Sequence, residues 1–265
     1  MARDSSEILT DPPVPPADAR LVYGPEPKQF GDLRLPPGDG PHPLAVVLHG
    51  GAWRALYNLI HAGPMCVALH ESGVATWNVE YRSVGDVGGG WPGTGDDVAR
   101  AVEFVEQLVN RYPLEWDCVA LVGHSAGGHL ALWSAKRAQL PVVALSAVSD
   151  LRESAQRIGA DGAVARLMGG MPDELSERYA EASPRERLPL GVRQVLVHGT
   201  EDDDVPYAMS EAYVAAAGDE AELITLEGAR HFEPIDPQSR EWPRVEAAIR
   251  GQLEAQHPLR AGPRS

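Results

Sequence analysis

The sequence predicts an α/β protein: a mostly parallel, doubly wound sheet with helices on both faces. Three observations carry that expectation. Six short β-rich stretches, LAVVLH (44–49), VATWNVEY (74–81), CVALVG (118–123), PVVALSAV (141–148), QVLVH (194–198) and AELITL (221–226), alternate with segments of helical period. Most of these stretches are apolar throughout, as in strands buried on both faces. Strand–helix alternation in turn calls for parallel pairing through right-handed crossovers.

Taken in order, residues 1–17 hold Pro12, Pro13, Pro15 and Pro16 in a polar stretch without periodicity, and are expected to form a disordered leader. Residues 18–256 are read as one domain and 257–265 as a flexible tail. The more polar pieces LVY (21–23) and FGDLRL (30–35) suit antiparallel edge strands. A helix is expected from about Thr94, because Val98, Ala101, Val102, Val105, Leu108 and Val109 fall on one face and Asp96 and Asp97 suit its N-terminal dipole. A second follows Ser125, and the last runs from about Trp242 to Leu253. Residues 151–190 separate two strands by more than one crossover helix requires. They are expected to form two or three short helices over the C-terminal edge of the sheet, where ligands bind in open α/β folds, and so are a candidate lid.

Composition narrows the function. The 23 Lys and Arg against 38 Asp and Glu give a net charge of −15, which argues against binding phosphate backbones or anionic lipid. The first twenty residues show no apolar signal region, and no later stretch approaches the ~18 apolar residues of a membrane span. A cytoplasmic protein with no nucleic-acid or membrane partner is expected. Cys66 and Cys118 belong to no paired motif, and Cys118 is placed in the core.

The strongest chemical signal is VALVGHSAGGHLALW (119–133), a buried strand that turns through Gly123-His124-Ser125-Ala126-Gly127 directly into a helix. This is G-x-S-x-G in the context it requires. So tight a turn needs small residues two positions either side of the serine, and it raises Ser125 Oγ above the sheet at a helix N-terminus. A second strand ends at His49-Gly50-Gly51, where glycines let backbone N–H groups face a ligand; Gly51 and Ala126 are the candidate oxyanion donors, with Gly50 and Ala52 as alternatives beside them. A serine nucleophile needs a base. Of nine histidines, His231 is selected because it follows AELITL on a loop, late in the chain, in the order serine, acid, histidine. His198 ends a strand and is read as structural, holding the loop after it. The acid should lie between Ser125 and His231, and the loop after QVLVH offers Glu201, Asp202, Asp203 and Asp204, which composition does not separate.

HGTEDDDVP (198–206) resembles the HG-x-x-D-x-x-VP segment of α/β-hydrolase-fold esterases and dienelactone-hydrolase-like enzymes. The resemblance extends over most of the chain through HGGAW (49–53), EYR (80–82), GHSAGG (123–128), ASP (182–184) and GARHF (228–232). It implies the α/β-hydrolase fold, Asp202 as the acid, and likeness to small bacterial carboxylesterases and kynurenine formamidase. It also implies Trp53 near the acyl pocket. His124, in the serine turn, and Trp91, either lining the pocket or packing beneath it, are further candidate pocket residues. The Gly-rich GDVGGGWPG (85–93) lacks the Lys-Ser/Thr of a phosphate loop and is expected to shape the pocket's rim. No cofactor and no metal are expected. The expected substrate is a small carboxylic ester or activated amide, cleaved through an acyl-enzyme, with N-formylkynurenine as the amide candidate. Acyl transfer or cyclisation, and a non-catalytic binding protein on the same fold, are the alternatives; a homodimer is an allowed assembly. Specificity is placed in the insert and in loops 53–65 and 83–93, with Leu167, Met168 and Met171 suggesting a partly apolar site.

Overall fold

The computed structural model describes residues 5–10 and 13–254. One sheet holds eight strands: β1 (Ala19–Val22), β2 (Phe30–Arg34), β3 (His42–Leu48), β4 (Ala75–Val79), β5 (Leu114–His124), β6 (Val142–Leu145), β7 (Gln194–Gly199) and β8 (Ala221–Leu226). Ten helices accompany it: α1 (Ser5–Thr10), α2 (Gly63–Glu71), α3 (Gly93–Glu103), α4 (Val105–Arg111), α5 (Ala126–Ala138), α6 (Leu151–Ile158), α7 (Ala163–Met168), α8 (Ser176–Ala182), α9 (Tyr207–Ala217) and α10 (Trp242–Glu254).

The strand order is β1-β2-β4-β3-β5-β6-β7-β8. β1 with β2 and β2 with β4 are antiparallel, and every later pair is parallel. Because β3 lies between β4 and β5, the loops leaving β3 and β5 diverge at a point where the winding reverses, and that is where a doubly wound sheet opens a crevice. Strand periodicity sends Leu44, Val46 and Leu48 to one core and Ala45 and Val47 to the other. The first core lies under α3 and α5, and the second under α2 and α10, so the central strands are buried on both faces as their composition predicts.

Three expectations are corrected. The segment read as a disordered leader contains α1, whose Ile8 is buried in the second core, and Arg34 donates to the carbonyls of Pro15 and Pro16 at 2.6 and 3.0 Å. Its two useful apolar residues, Ile8 and Leu9, are too few to show a period. The helix after Thr94 is two helices, α3 and α4, meeting at Phe104, whose ring stacks on Trp77. Cys118 is only partly buried. The proposed tail, 257–265, lies outside the described residues. Among the described residues no helix is long and apolar enough to cross a membrane.

Candidate active site

Ser125 stands between β5 and α5 with φ 53° and ψ −117°. A left-handed φ at a non-glycine residue is strained and persists only where the surroundings fix it. Here Ser125 N donates to Leu145 O on β6 at 2.9 Å, and the serine's carbonyl accepts from His129 N at 3.0 Å. The flanking glycines are dictated by contact. A Cβ on Gly123 would lie 2.2 Å from Gly127 O, and one on Gly127 would lie 2.0 Å from Leu48 O. Ala126 begins α5, so its N–H is among those a helix leaves without an internal partner.

The turn after β3 faces the elbow. Gly51, Ala52 and Trp53 all have positive φ, at 112°, 52° and 53°. Among the described residues no hydrogen bond is made by the N–H of Gly51 or Ala52. Gly50 packs differently, since a Cβ there would meet the rings of His61 and His124 at 2.8 Å. The turn is braced from the segment just after β4: the Tyr81 hydroxyl donates to His49 O at 2.6 Å, and its ring stacks on the His49 ring at 4.3 Å. Glu80 accepts from Leu59 N at 2.9 Å. Burial would raise its carboxyl, but the adjoining His49, that N–H and Lys28 hold it below the usual range.

Asp202 is the one member of the four-acid loop whose carboxylate is wholly buried and bonded to a histidine. His231 Nδ1 donates to its Oδ2 at 2.8 Å, leaving His231 Nε2 as the basic nitrogen. His198 Nε2 lies 3.1 Å from the same oxygen and 3.0 Å from Val205 O, while Ser210 Oγ meets His198 Nδ1 at 2.7 Å. Oδ1 accepts from Asp204 N and Val205 N at 3.0 and 2.8 Å. Burial works against the charge, yet the bonds from His198, His231 and Val205 outweigh it and hold Asp202 far below the usual carboxylate range. Asp203 instead points outward to pair with Arg230. The acid and histidine loops are stitched together by Thr200 N to Leu226 O and Glu201 N to Ala229 O, at 3.1 and 2.9 Å.

Two further histidine contacts support the site. His124 Nε2 must donate to the carbonyl of His231 at 2.9 Å, so its Nδ1 accepts from His61 Nε2 at 2.9 Å. Both rings stay neutral: burial, the neighbouring rings and His231 push His124 well down and His61 down to about 3. On the other side of the turn, Trp53 Nε1 donates to His129 Nδ1 at 3.2 Å, so His129 Nε2 donates to Ala182 O at 3.0 Å.

Ser125, His231, Gly51, Ala52 and Trp53 line one cavity of about 540 Å³, whose other walls include Tyr57, Val148, Ile158, Val164, Met209 and Phe232. The insert contributes α6 and α7 to this cavity, in the place expected of a lid. The structure therefore brings Ser125, His231, Trp53 and Gly51 to one space and joins Asp202 to it through His231. It does not bring Trp91 or His124 there. Trp91 packs edge-on against Trp133 and His129, beneath the site, and His124 is fully buried behind it. Loop 83–93 contributes no wall, and Leu167 and Met168 are buried in the first core. His61, Glu80, Tyr81 and His129 have supporting positions that sequence reasoning missed, although EYR already stood out as a pattern.

Fold and site geometry together define an α/β hydrolase. The chain belongs to the family described as BD-FAE, whose model matches residues 32–216. It is 25% identical over 240 residues to a probable isoprenylcysteine alpha-carbonyl methylesterase from Oryza sativa subsp. japonica, covering 80% of this chain but only 57% of that protein. It is 36% identical over 93 residues to kynurenine formamidase from Meyerozyma guilliermondii, over 35% of this chain and 33% of the relative. Among solved structures it is similar to inhibited esterase B from Lactobacillus rhamnosis, with TM-score 0.78 and 17% identity over 95% of this chain and 91% of the other.

Proposed function

We propose that the protein is a serine hydrolase that cleaves a small carboxylic ester through an acyl-enzyme. One observation carries the reading: a left-handed Ser125 at a helix N-terminus shares a cavity with His231, whose Nδ1 is held 2.8 Å from a buried Asp202. Ser125 Oγ attacks the carbonyl carbon and passes its proton to His231 Nε2. The carbonyl oxygen becomes an oxyanion held by the N–H of Ala126 and Gly51, with Ala52 N–H also free on the same turn. His231 then protonates the departing alcohol. Water, losing its proton to the same nitrogen, releases the acid and restores Ser125. Asp202 stays ionised throughout and fixes the imidazole tautomer.

Formamide hydrolysis is the second reading, favoured by the 36% identity to kynurenine formamidase over 93 residues. A fluorophosphonate probe should label the wild-type protein and fail on Ser125→Ala; an unlabelled, folded wild type would overturn the hydrolase reading. Rates on short p-nitrophenyl esters against N-formylkynurenine decide between ester and formamide.

A further inference from the structure

The cavity carries a charge pattern that hydrolysis by Ser125 does not require. Its walls are apolar along Val148, Ile158, Val164 and Met209, but Arg54 and Arg157 also line it. Arg54 comes from the turn after β3, where its N–H donates to Gly51 O at 3.0 Å. Arg157 comes from the last turn of α6, in the insert. Neither guanidinium has an ion-pair partner among the described residues. Arg157 uses one donor on a neutral group, Asp204 O, at 3.1 Å, and Arg54 makes no side-chain hydrogen bond. Close by, Arg152 and Arg230 are each matched to a carboxylate, Glu186 and Asp203, at 2.6 and 2.5 Å.

The anionic groups facing this space do not cancel the two cations. Asp202 is wholly committed to its histidines and backbone donors, which leaves Asp204 against two arginines. On a chain with a net charge of −15, this is a local reversal of sign at a cavity that holds Ser125. An arginine fork is matched to a carboxylate, which it binds through two parallel N–H groups, and a neutral ester offers no such partner.

We propose that the substrate bears a carboxylate as well as the scissile bond, and that Arg54 and Arg157 hold that carboxylate while the apolar walls take the carbon chain. This inference rests on the hydrolase reading and adds a substrate class to it, the monoanionic esters or amides.

Two matched pairs test it and locate the charge. Monoethyl against diethyl glutarate places the carboxylate on the acyl side, and 4-butyryloxybenzoate against its methyl ester places it on the leaving group. In one pair the wild type should prefer the anion. Charge-assisted hydrogen bonds contribute about 1.5–3 kcal/mol, so in R54Q/R157Q the anion-to-neutral ratio of kcat/KM should fall roughly 10–100-fold. That fall should come mainly through KM and shrink with added salt. A fold defect would lower both members and leave the ratio intact. Wild-type turnover of the neutral members without preference for either anion, or an unchanged ratio in the double variant, overturns the proposal while leaving hydrolysis standing. Binding by Ser125→Ala, followed by tryptophan fluorescence, reads the same preference without turnover. Equal affinity for anion and neutral partner in both pairs would overturn the proposal even if no ester were cleaved.

Discussion

Lowering the pH from 7 to 5 is expected to cost the folded state about 2 kcal/mol through His129 alone. The ring is fully buried, donates to Ala182 O and accepts from Trp53 Nε1. Burial, helped by the charge of Arg187, pushes it down to about 4, against the bond to Ala182, which works the other way. In the unfolded chain the same ring titrates near 6.5. Between those values the unfolded state binds a proton that the folded state refuses, so stability falls as pH falls, by about 1.2 kcal/mol per pH unit at the steepest. The loss begins as pH drops through about 6.5 and ends below about 4. His61 and His124 are shifted in the same direction, so their losses add to it. Urea unfolding followed by tryptophan fluorescence at pH 7, 6 and 5 measures the slope in the wild type and in His129→Gln. The variant should be less stable at pH 7 by about 1 kcal/mol, from poorer hydrogen bonding. Its further loss between pH 7 and 5 should be smaller than that of the wild type by about 2 kcal/mol. Parallel pH profiles in the two proteins would refute the assignment of a neutral, buried His129.

Asp202→Asn should lower kcat by ~10⁴ on whichever ester is turned over, because it favours the wrong His231 tautomer; Asp203→Asn, which removes only an exposed ion pair with Arg230, should change it less than ~3-fold. Steady-state kinetics on the two variants checks this, and an equal loss in both would remove Asp202 from the mechanism. Tyr81→Phe leaves the buried His49 carbonyl without its donor, at a cost of about 1–3 kcal/mol in urea unfolding. Because His49 precedes the Gly50-Gly51 turn, kcat should fall more than KM rises. Gly127→Ala would put a Cβ 2.0 Å from the Leu48 carbonyl. Loss of soluble folded protein is expected, read by circular dichroism and by yield beside Ser125→Ala.

Much of this architecture is legible in one dimension because its causes are local. Double burial writes unbroken apolar runs into the central strands, as in Leu44–Leu48, and the elbow writes glycine at 123 and 127 because no larger residue fits against Gly127 O or Leu48 O. The first helix escapes notice for the opposite reason. It is anchored by Ile8 and Leu9, and two adjacent apolar residues in a polar stretch show no period.

The acid and the pocket mark where local causes end. Glu201 to Asp204 are chemically alike, and what distinguishes Asp202 is a turn in which its own Oδ1 captures the N–H groups of Asp204 and Val205. That capture faces Oδ2 toward His198, only four residues earlier, and toward His231 from the loop after β8, and this second partner makes the selection tertiary. The same distinction explains the misplaced pocket residues. His124 adjoins Ser125 in sequence, but it continues the Val122 side of β5 and so packs behind the site against His61 and Phe232. Trp91 belongs to a glycine-rich loop that leads beneath the site to Trp133 and His129. In both cases adjacency to a motif suggested a lining role that backbone direction denies, leaving for Trp91 the alternative of packing beneath the pocket, whereas Arg54 and Arg157, 103 positions apart in sequence, reach the cavity together. The Ser125 elbow is thus constrained by a local turn and can be read from it, while Asp202 and His231 are joined only by the fold. Arg54 and Arg157 are likewise brought together only by the fold, and on the carboxylate proposal substitutions there should change ester preference without disturbing the elbow.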